Sequence, residues 1–342
     1  MKKLFTILAV AATLVSCAKE DVVREAEGEA IQFGNAFVDN ATRVDEATDP
    51  SYSANDINAF NVYGTINNVV VYPGTVVSRN GLAYGDIWSC PVDQYWVPGA
   101  EHKFVGIVDG NKAGVTTTNL TNGMPTTISY TADGATDLLC ETIVKTGNTN
   151  GEENGTVAFT FKHLLSKAMF TVTNSSTSAT KYIHKVSGIK ITNAYNTATY
   201  NVESKAWSSQ AKATDYTGQA FDDIIIVGAD ASEVCANERL LIPGLKEVVV
   251  EFELTLYYDA NGNGEGDDNE FISSTSYTGE NAKKATIDIN PNMAYNFTLA
   301  VSVGELITFT ANPVVDWDND HDNKENTPDG DDEDNQVLTP LQ

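Results

Sequence analysis

The chain is predicted to be all-β, folded as two β-sandwiches, on three observations. Apolar and polar residues alternate with period two, turn dipeptides separate the alternating runs, and helical periodicity is almost absent. The clearest run is Val248, Val250, Phe252, Leu254, Leu256 and Tyr258, interleaved with Val249, Glu251, Glu253, Thr255 and Tyr257. Successive side chains of an extended strand face opposite ways, so one face of this segment is apolar and the other mostly polar.

In chain order, a first strand is expected over residues 30–38, with Ile31, Phe33 and one of Ala36 or Val38 turned inward. Val157, Phe159 and Phe161 alternate briefly, and a new strand starts at Ala168. Tyr295, Phe297, Leu299, Val301 and Val303 alternate with Asn296, Thr298, Ala300 and Ser302. Between the runs lie Asn80-Gly81, Pro98-Gly99, Asp109-Gly110, Asn122-Gly123 and Asp133-Gly134, turn-forming pairs at the spacing of a sandwich. The polar stretch 145–156 reads as a hairpin loop.

Organisation follows from the same pass. Lys2 and Lys3, an apolar run from Leu4 to Leu14 and small Ser16 have the layout of a secretory signal, shorter than the roughly 20 residues a spanning helix needs. Leu14-Val15-Ser16-Cys17 looks like a bacterial lipobox, which would make Cys17 the acylated N-terminus; two or more chains anchor durably where one is marginal. The short charged run Lys19-Glu20-Asp21 resembles the signal that routes some lipoproteins to the outer cell face. The expected divisions are therefore 1–16 signal peptide, 17–29 flexible tether, 30–164 first sandwich, 165–318 second sandwich and 319–342 acidic tail.

The 342 residues carry a formal net charge of -26, with no cluster of Lys and Arg. Nucleic acid is excluded as a partner, because phosphate neutralisation needs such a cluster. The acid concentrates in residues 316–334, where self-repulsion favours a solvated run. Beyond Cys17 only Cys90, Cys140 and Cys235 remain. No disulfide framework is expected; a Cys90 to Cys140 bridge and three free thiols both stay open.

Residues 259–270 read Asp-Ala-Asn-Gly-Asn-Gly-Glu-Gly-Asp-Asp-Asn-Glu. Asp259, Asn261, Asn263, Asp267 and Glu270 fall at positions 1, 3, 5, 9 and 12 of a calcium loop, Gly264 at position 6 and Glu265 at position 7. Strand-like flanks, and Gly266 where an apolar residue normally packs, depart from that pattern. A polar hairpin tip is the competing interpretation, so Ca²⁺ is a candidate ligand and no other cofactor is expected. The alternation Asp316, Asp318, Asp320, Asp322 encloses nothing in an extended chain.

Enzyme activity is not expected. His102, His163, His184 and His321 belong to no metalloprotease motif, no serine lies in a G-x-S-x-G elbow, and Gly262, Gly264 and Gly266 open no helix after a strand. Trp88, Trp96, Tyr84, Tyr95 and Trp207 are residue types that stack on sugars but more often fill sandwich cores.

Several separated motifs, in order, resemble the fimbrillin family, the type V pilins of Gram-negative bacterial surfaces. They are the lipobox, Ala30-Ile31-Gln32-Phe33, Ala41-Thr42-Arg43, an aromatic strand at Phe60-Asn61-Val62-Tyr63-Gly64, Trp96 with Pro98-Gly99, Lys103-Phe104, the junction from Phe161 to Phe170, Leu241-Ile242-Pro243-Gly244, Asn292-Met293-Ala294-Tyr295-Asn296-Phe297, and a final strand Val314-Val315-Asp316-Trp317. The resemblance implies transthyretin-like sandwiches and a structural or adhesive pilus subunit, exported as a lipoprotein precursor to the outer membrane and cell surface. It also implies proteolytic processing at Arg43 and assembly by donor-strand exchange with other pilus subunits, with host or bacterial surface ligands as further partners. Loss of a strand bares ladder donors and an apolar groove together, so a replacement strand restores both. Donor residues at the C-terminus would be Val337, Leu338 and Leu341, although Pro340 removes a ladder donor. A surface glycan-binding lipoprotein is the alternative.

Overall fold

The computed structural model describes residues 28–38, 57, 59–79, 88–108, 114–176, 181–212, 220–228, 231–303 and 306–314. Cys17, Arg43, Tyr84, Trp317, His321 and the acidic tail lie outside them. The described residues form an all-β protein, and their helical content is two 3₁₀ turns, Asp268–Glu270 and Gly279–Asn281.

The strands run β1 (Phe33–Val38), β2 (Ala59–Ile66), β3 (Val69–Arg79), β4 (Trp88–Ser89), β5 (Glu101–Val108), β6 (Val115–Thr121), β7 (Met124–Thr131), β8 (Leu139–Thr146) and β9 (Val157–His163). After Leu164 and Leu165 come β10 (Ser166–Asn174), β11 (Tyr182–Ile191), β12 (Thr197–Asn201), β13 (Ala206–Ala211), β14 (Ile224–Val227), β15 (Ser232–Val234) and β16 (Arg239–Leu241). The last are β17 (Glu247–Tyr258), β18 (Phe271–Tyr277), β19 (Lys283–Thr286), β20 (Met293–Val301) and β21 (Thr308–Val314).

Four sheets result. A seven-stranded sheet has the order β1-β9-β8-β5-β2-β3-β4, and a four-stranded sheet the order β13-β12-β7-β6. Two five-stranded sheets have the orders β15-β10-β20-β21, with β16 also on β10, and β14-β11-β17-β18, with β19 also on β17. Pairing is antiparallel except at β1 with β9 and at β10 with β20. The four-stranded sheet joins segments from either side of residues 164 and 165, because β12 pairs with β7 from Thr197 opposite Thr131 to Asn201 opposite Thr127.

Burial follows the alternation. Val157, Phe159, Phe161 and His163 are buried while Ala158, Thr160 and Lys162 are exposed, as period two requires. Tyr295, Phe297, Leu299 and Val301 are buried on β20. On β17 the pattern fades: Val248, Val250 and Phe252 are buried, but Tyr258 is exposed where the strand runs out past the core.

Three cores fill the layers. One lies between the five-stranded sheets and includes Phe170, Val186, Ile226, Val250 and Phe297. The second is aromatic and lies within the seven-stranded sheet, with Phe33, Phe60, Tyr72, Phe104, Phe159 and Phe161. Phe33 on one edge strand reaches Tyr72, on the strand next to the other edge, at a ring-centroid separation of 5.4 Å; the sheet must curl to bring them together. The third core packs the opposite faces of β5 and β8 against the four-stranded sheet, through Val105, Ile107, Cys140, Ile128, Tyr130 and Tyr200.

Gly106 lets the aromatic core close. A Cβ there would sit 2.9 Å from the Phe161 ring and 3.0 Å from the Phe159 ring, atoms that cannot swing away. Gly106→Ala is expected to cost about 1–3 kcal/mol through overpacking, measured as a lowered denaturant midpoint at unchanged slope.

Turn chemistry was partly legible. Asn122 and Gly123 both take positive φ, 50° and 74°, at the β6–β7 turn, as a type I′ hairpin requires. The equivalent β2–β3 turn is Asn67-Asn68, with φ 47° and 66°, a pair without the glycine that usually marks such a turn in a sequence. The first strand starts at Phe33, and Ala30 instead makes an isolated antiparallel bridge to Tyr95.

Candidate functional site

The most distinctive arrangement is the seat of the N-terminal segment. Residues 29–31 lie along the 94–96 segment, where Ile31 N–H donates to the Gln94 carbonyl at 2.7 Å and Trp96 N–H donates to the Glu29 carbonyl at 2.9 Å. The chain then crosses to β9. Val157 N–H donates to the Gln32 carbonyl at 2.8 Å, and β1 runs parallel to β9 with Phe33 opposite Val157. As the edge strand of its sheet, β1 holds β9 on one side alone.

Side chains lock the backbone ladder. Ile31 and Phe33 are buried, which agrees with the inward face expected for them. The Phe33 ring meets Tyr72, Phe104 and Phe60 edge-on at 5.4, 5.9 and 6.2 Å and stacks on Phe159 at 6.4 Å. Edge-to-face pairs of this kind add to the stabilisation from burial itself. Two polar groups of the same core, the Tyr72 hydroxyl and the Trp96 indole N–H, are buried with no hydrogen-bond partner.

Glu29 clamps the entrance. Asn154 donates its main-chain N–H and its side-chain amide to one carboxylate oxygen at 2.6 and 2.7 Å, and Gly155 N–H donates to the other at 3.0 Å. The Asn154 backbone bond, followed by its side-chain bond, holds the Glu29 carboxyl below its ordinary range. Nothing in the sequence singled out Glu29, since an acid ahead of a strand has no signature of its own. His102 supports the adjoining turn in its neutral form: Val97 N–H donates to Nε2 at 3.2 Å, and Nδ1 lies 3.0 Å from the Ala100 carbonyl. Burial pushes the His102 ring below its usual value, and burial does the same to His184, whose two ring nitrogens have no partner.

These shifts set an acid response. For both histidines the folded-state value is depressed, so their contribution is fully present above the ordinary 6.5 and is lost as pH falls through the folded values. The Glu29 contribution is present above its ordinary 4.5 and is lost at lower pH. Thermal melts should therefore show one decline starting near pH 6.5 and a second below pH 4.5. His184→Leu should weaken the first and leave the His102 share, because an apolar replacement removes two unsatisfied nitrogens at little cost; Glu29→Gln should weaken the second, which Glu251 and Asp133 share.

The other expected residues are placed as follows. The three thiols Cys90, Cys140 and Cys235 are free, and burial pushes the Cys140 thiol up to about 12. His163 is structural, its Nδ1 lying 2.5 Å from the Asp137 carboxylate. Of the described aromatics considered for sugar stacking, Trp96 is buried, Trp88 packs against the aromatic core, and Trp207 donates its indole N–H to the Leu164 carbonyl at 2.7 Å. Only Tyr95 among them is exposed.

In the 259–270 loop, Asp259 receives Gly262 N–H on one oxygen at 2.6 Å and Gly264 N–H on the other at 3.2 Å. The Asn261 and Asn263 carbonyl oxygens accept the N–H groups of Asn263 and Glu265 at 2.8 and 2.9 Å. Glu270 folds back from the 3₁₀ turn and accepts the Ala260 and Asn261 N–H groups on Oε1 at 2.8 and 3.2 Å. The 3₁₀ turn Asp268–Glu270 ends the loop, whose flanks are the strands β17 and β18, as expected from the sequence.

A protein-family profile described as fimbrillin-like matches residues 42–317. Among solved structures, a fimbrial protein from Bacteroides vulgatus superposes with a TM-score of 0.59 at 14% identity, over 84% of this chain and 99% of that one. The fimbrial anchor protein Mfa2 from Porphyromonas gingivalis matches at 11% identity and a TM-score of 0.38, covering 84% and 96% of the two chains. A fimbrial assembly protein from Parabacteroides distasonis matches at 10% identity and a TM-score of 0.38, covering 83% and 96%. Only the first of the three is close enough to bear on the fold. Among curated protein sequences there is no match.

Proposed function

Because the chain belongs to the fimbrillin-like family, we propose that it is a subunit of a cell-surface fimbria, exported as a lipoprotein acylated at Cys17 and assembled with other subunits by strand exchange after cleavage at Arg43. The observation that carries the reading is the seat of β1. A single segment is held at a sheet edge by main-chain bonds on one side and by one aromatic knob, Phe33, in a slot of four rings. Recognition by an added strand uses the same two elements, backbone ladder for affinity and alternate side chains for specificity.

Trimming at Arg43 separates β1 from the rest of the chain. Two buried large side chains, Ile31 and Phe33, are worth about 3–6 kcal/mol together at about 1.5–3 kcal/mol each, a sufficient drive for exchange. The purified full chain should be cut with an arginine-specific protease and followed by N-terminal sequencing and light scattering. Cleavage at Arg43 with concentration-dependent oligomers, suppressed by excess peptide spanning residues 28–38, is the expected result. A stable monomer with unchanged melting after clean cleavage at Arg43 would refute strand exchange, and an acyl-free Cys17 on the uncleaved precursor isolated from cells would refute the lipid anchor.

A further inference from the structure

We propose that the 259–270 loop is a Ca²⁺ site, with Asp259, Asn261, Asn263, the Glu265 carbonyl and Glu270 as ligands and Asp267 as an outer ligand. The site is independent of the strand-exchange surface. Its strongest pointer is Glu270, which is only 5% exposed and has Oε2 buried without any hydrogen-bond partner. Its other oxygen is fixed by the Ala260 and Asn261 N–H groups, so the bare oxygen stands at the loop itself. A buried carboxylate oxygen without a donor is costly, and a hard cation is the partner that removes the cost.

The rest of the loop supplies further oxygen atoms. Asp259, 9% exposed, is drawn inward by Gly262 and Gly264 N–H. Each amide oxygen of Asn261 and Asn263 accepts one N–H and keeps a second lone pair. The loop holds five acidic residues, Asp259, Glu265, Asp267, Asp268 and Glu270, and no Lys or Arg to neutralise them. Among the described residues no three His, Cys, Asp or Glu side chains converge on a metal; the donor set therefore depends on the two amide oxygens and a main-chain carbonyl. Such a flexible, all-oxygen, Gly-rich set suits Ca²⁺ and not the smaller, strictly octahedral Mg²⁺.

Gly266 no longer counts against the site. A Cβ there would fall 2.7 Å from the Tyr257 ring, so the ring of the preceding strand covers the place where an apolar eighth residue packs in other calcium loops. Tyr257 in turn packs edge-on against Phe271 at 6.1 Å.

The test uses the full chain, stripped with chelator and titrated with CaCl₂ in about 0.1 M KCl to screen diffuse binding to the acidic surface. One saturable site is expected, with a dissociation constant of about 0.1–1 mM and Mg²⁺ at least about tenfold weaker. Glu270→Gln and Asp259→Asn should each weaken Ca²⁺ binding at least about tenfold. Their melting in chelator shows whether they fold. Tb³⁺ emission excited through tyrosine, displaced by Ca²⁺ and reduced in Tyr257→Phe, locates the ion without touching a ligand. Absence of saturable binding up to about 10 mM Ca²⁺, or equal binding in wild type and both ligand variants, or Tb³⁺ emission indifferent to Tyr257→Phe, overturns the proposal.

Discussion

Phe33→Ala is expected to free the N-terminal segment while the rest of the fold stays closed. A buried phenylalanine reduced to alanine costs about 3–5 kcal/mol through lost transfer energy and the cavity left behind, and here the cavity would open between four aromatic rings. Because β1 is an edge strand, the chain can escape most of that cost by letting the strand go, a local opening rather than global unfolding. The global midpoint should then fall by less than the local stability does. Hydrogen exchange should show the Val157 amide, which donates to Gln32, losing protection at least about a hundredfold, since about 3 kcal/mol is about two decades in an equilibrium constant. Unchanged exchange at Val157 would show that Phe33 does not hold the strand.

Phe297→Ala should behave in the opposite way. Phe297 is fully buried on β20, which is paired with β10 on one side and β21 on the other, and its ring stacks on Phe309 at 6.0 Å. An interior strand cannot leave its sheet without breaking two ladders, so the about 3–5 kcal/mol should appear in full as global destabilisation. In a chain of this size that is a fall of several degrees in Tm, while Val157 keeps the protection set by its own local opening. The two variants together separate an expendable strand from a permanent one. If both lower the global midpoint equally and leave Val157 unaltered, β1 is as integral as β20.

Strand identity was legible wherever one face is buried. The 157–163 and 295–301 alternations match their burial residue by residue, because period two is both the sequence signal and the geometry. Pairing partners were not legible. The parallel registers Phe33 with Val157 and Ser166 with Met293 bring together residues whose side chains say only that they are apolar. The inward face of Ile31 and Phe33 could be read in advance; the Glu29 clamp on Asn154 and Gly155 could not, since it depends on a loop 125 residues away in sequence. The calcium-loop spacing was visible in the residue types, whereas the role of Tyr257 over Gly266 required the β17–β18 fold to be known.

The four-stranded sheet has a temporal consequence. A chain emerging N-terminus first can form β5, β7 and β8 once about residue 146 is out, but the partner of β7 on its second edge, β12, ends at Asn201. Until then Val105, Ile107 and Cys140, which face that sheet, have only the β6–β7 hairpin for cover. Contacts between distant segments close slowly because loop-closure entropy is spent before they form, and exposed strand edges and apolar faces favour aggregation meanwhile. Synthesis of the first 165 residues alone should therefore yield an insoluble or chaperone-held product, and solubility should be recovered only when the chain is long enough to include the β12–β13 hairpin, which ends at Ala211.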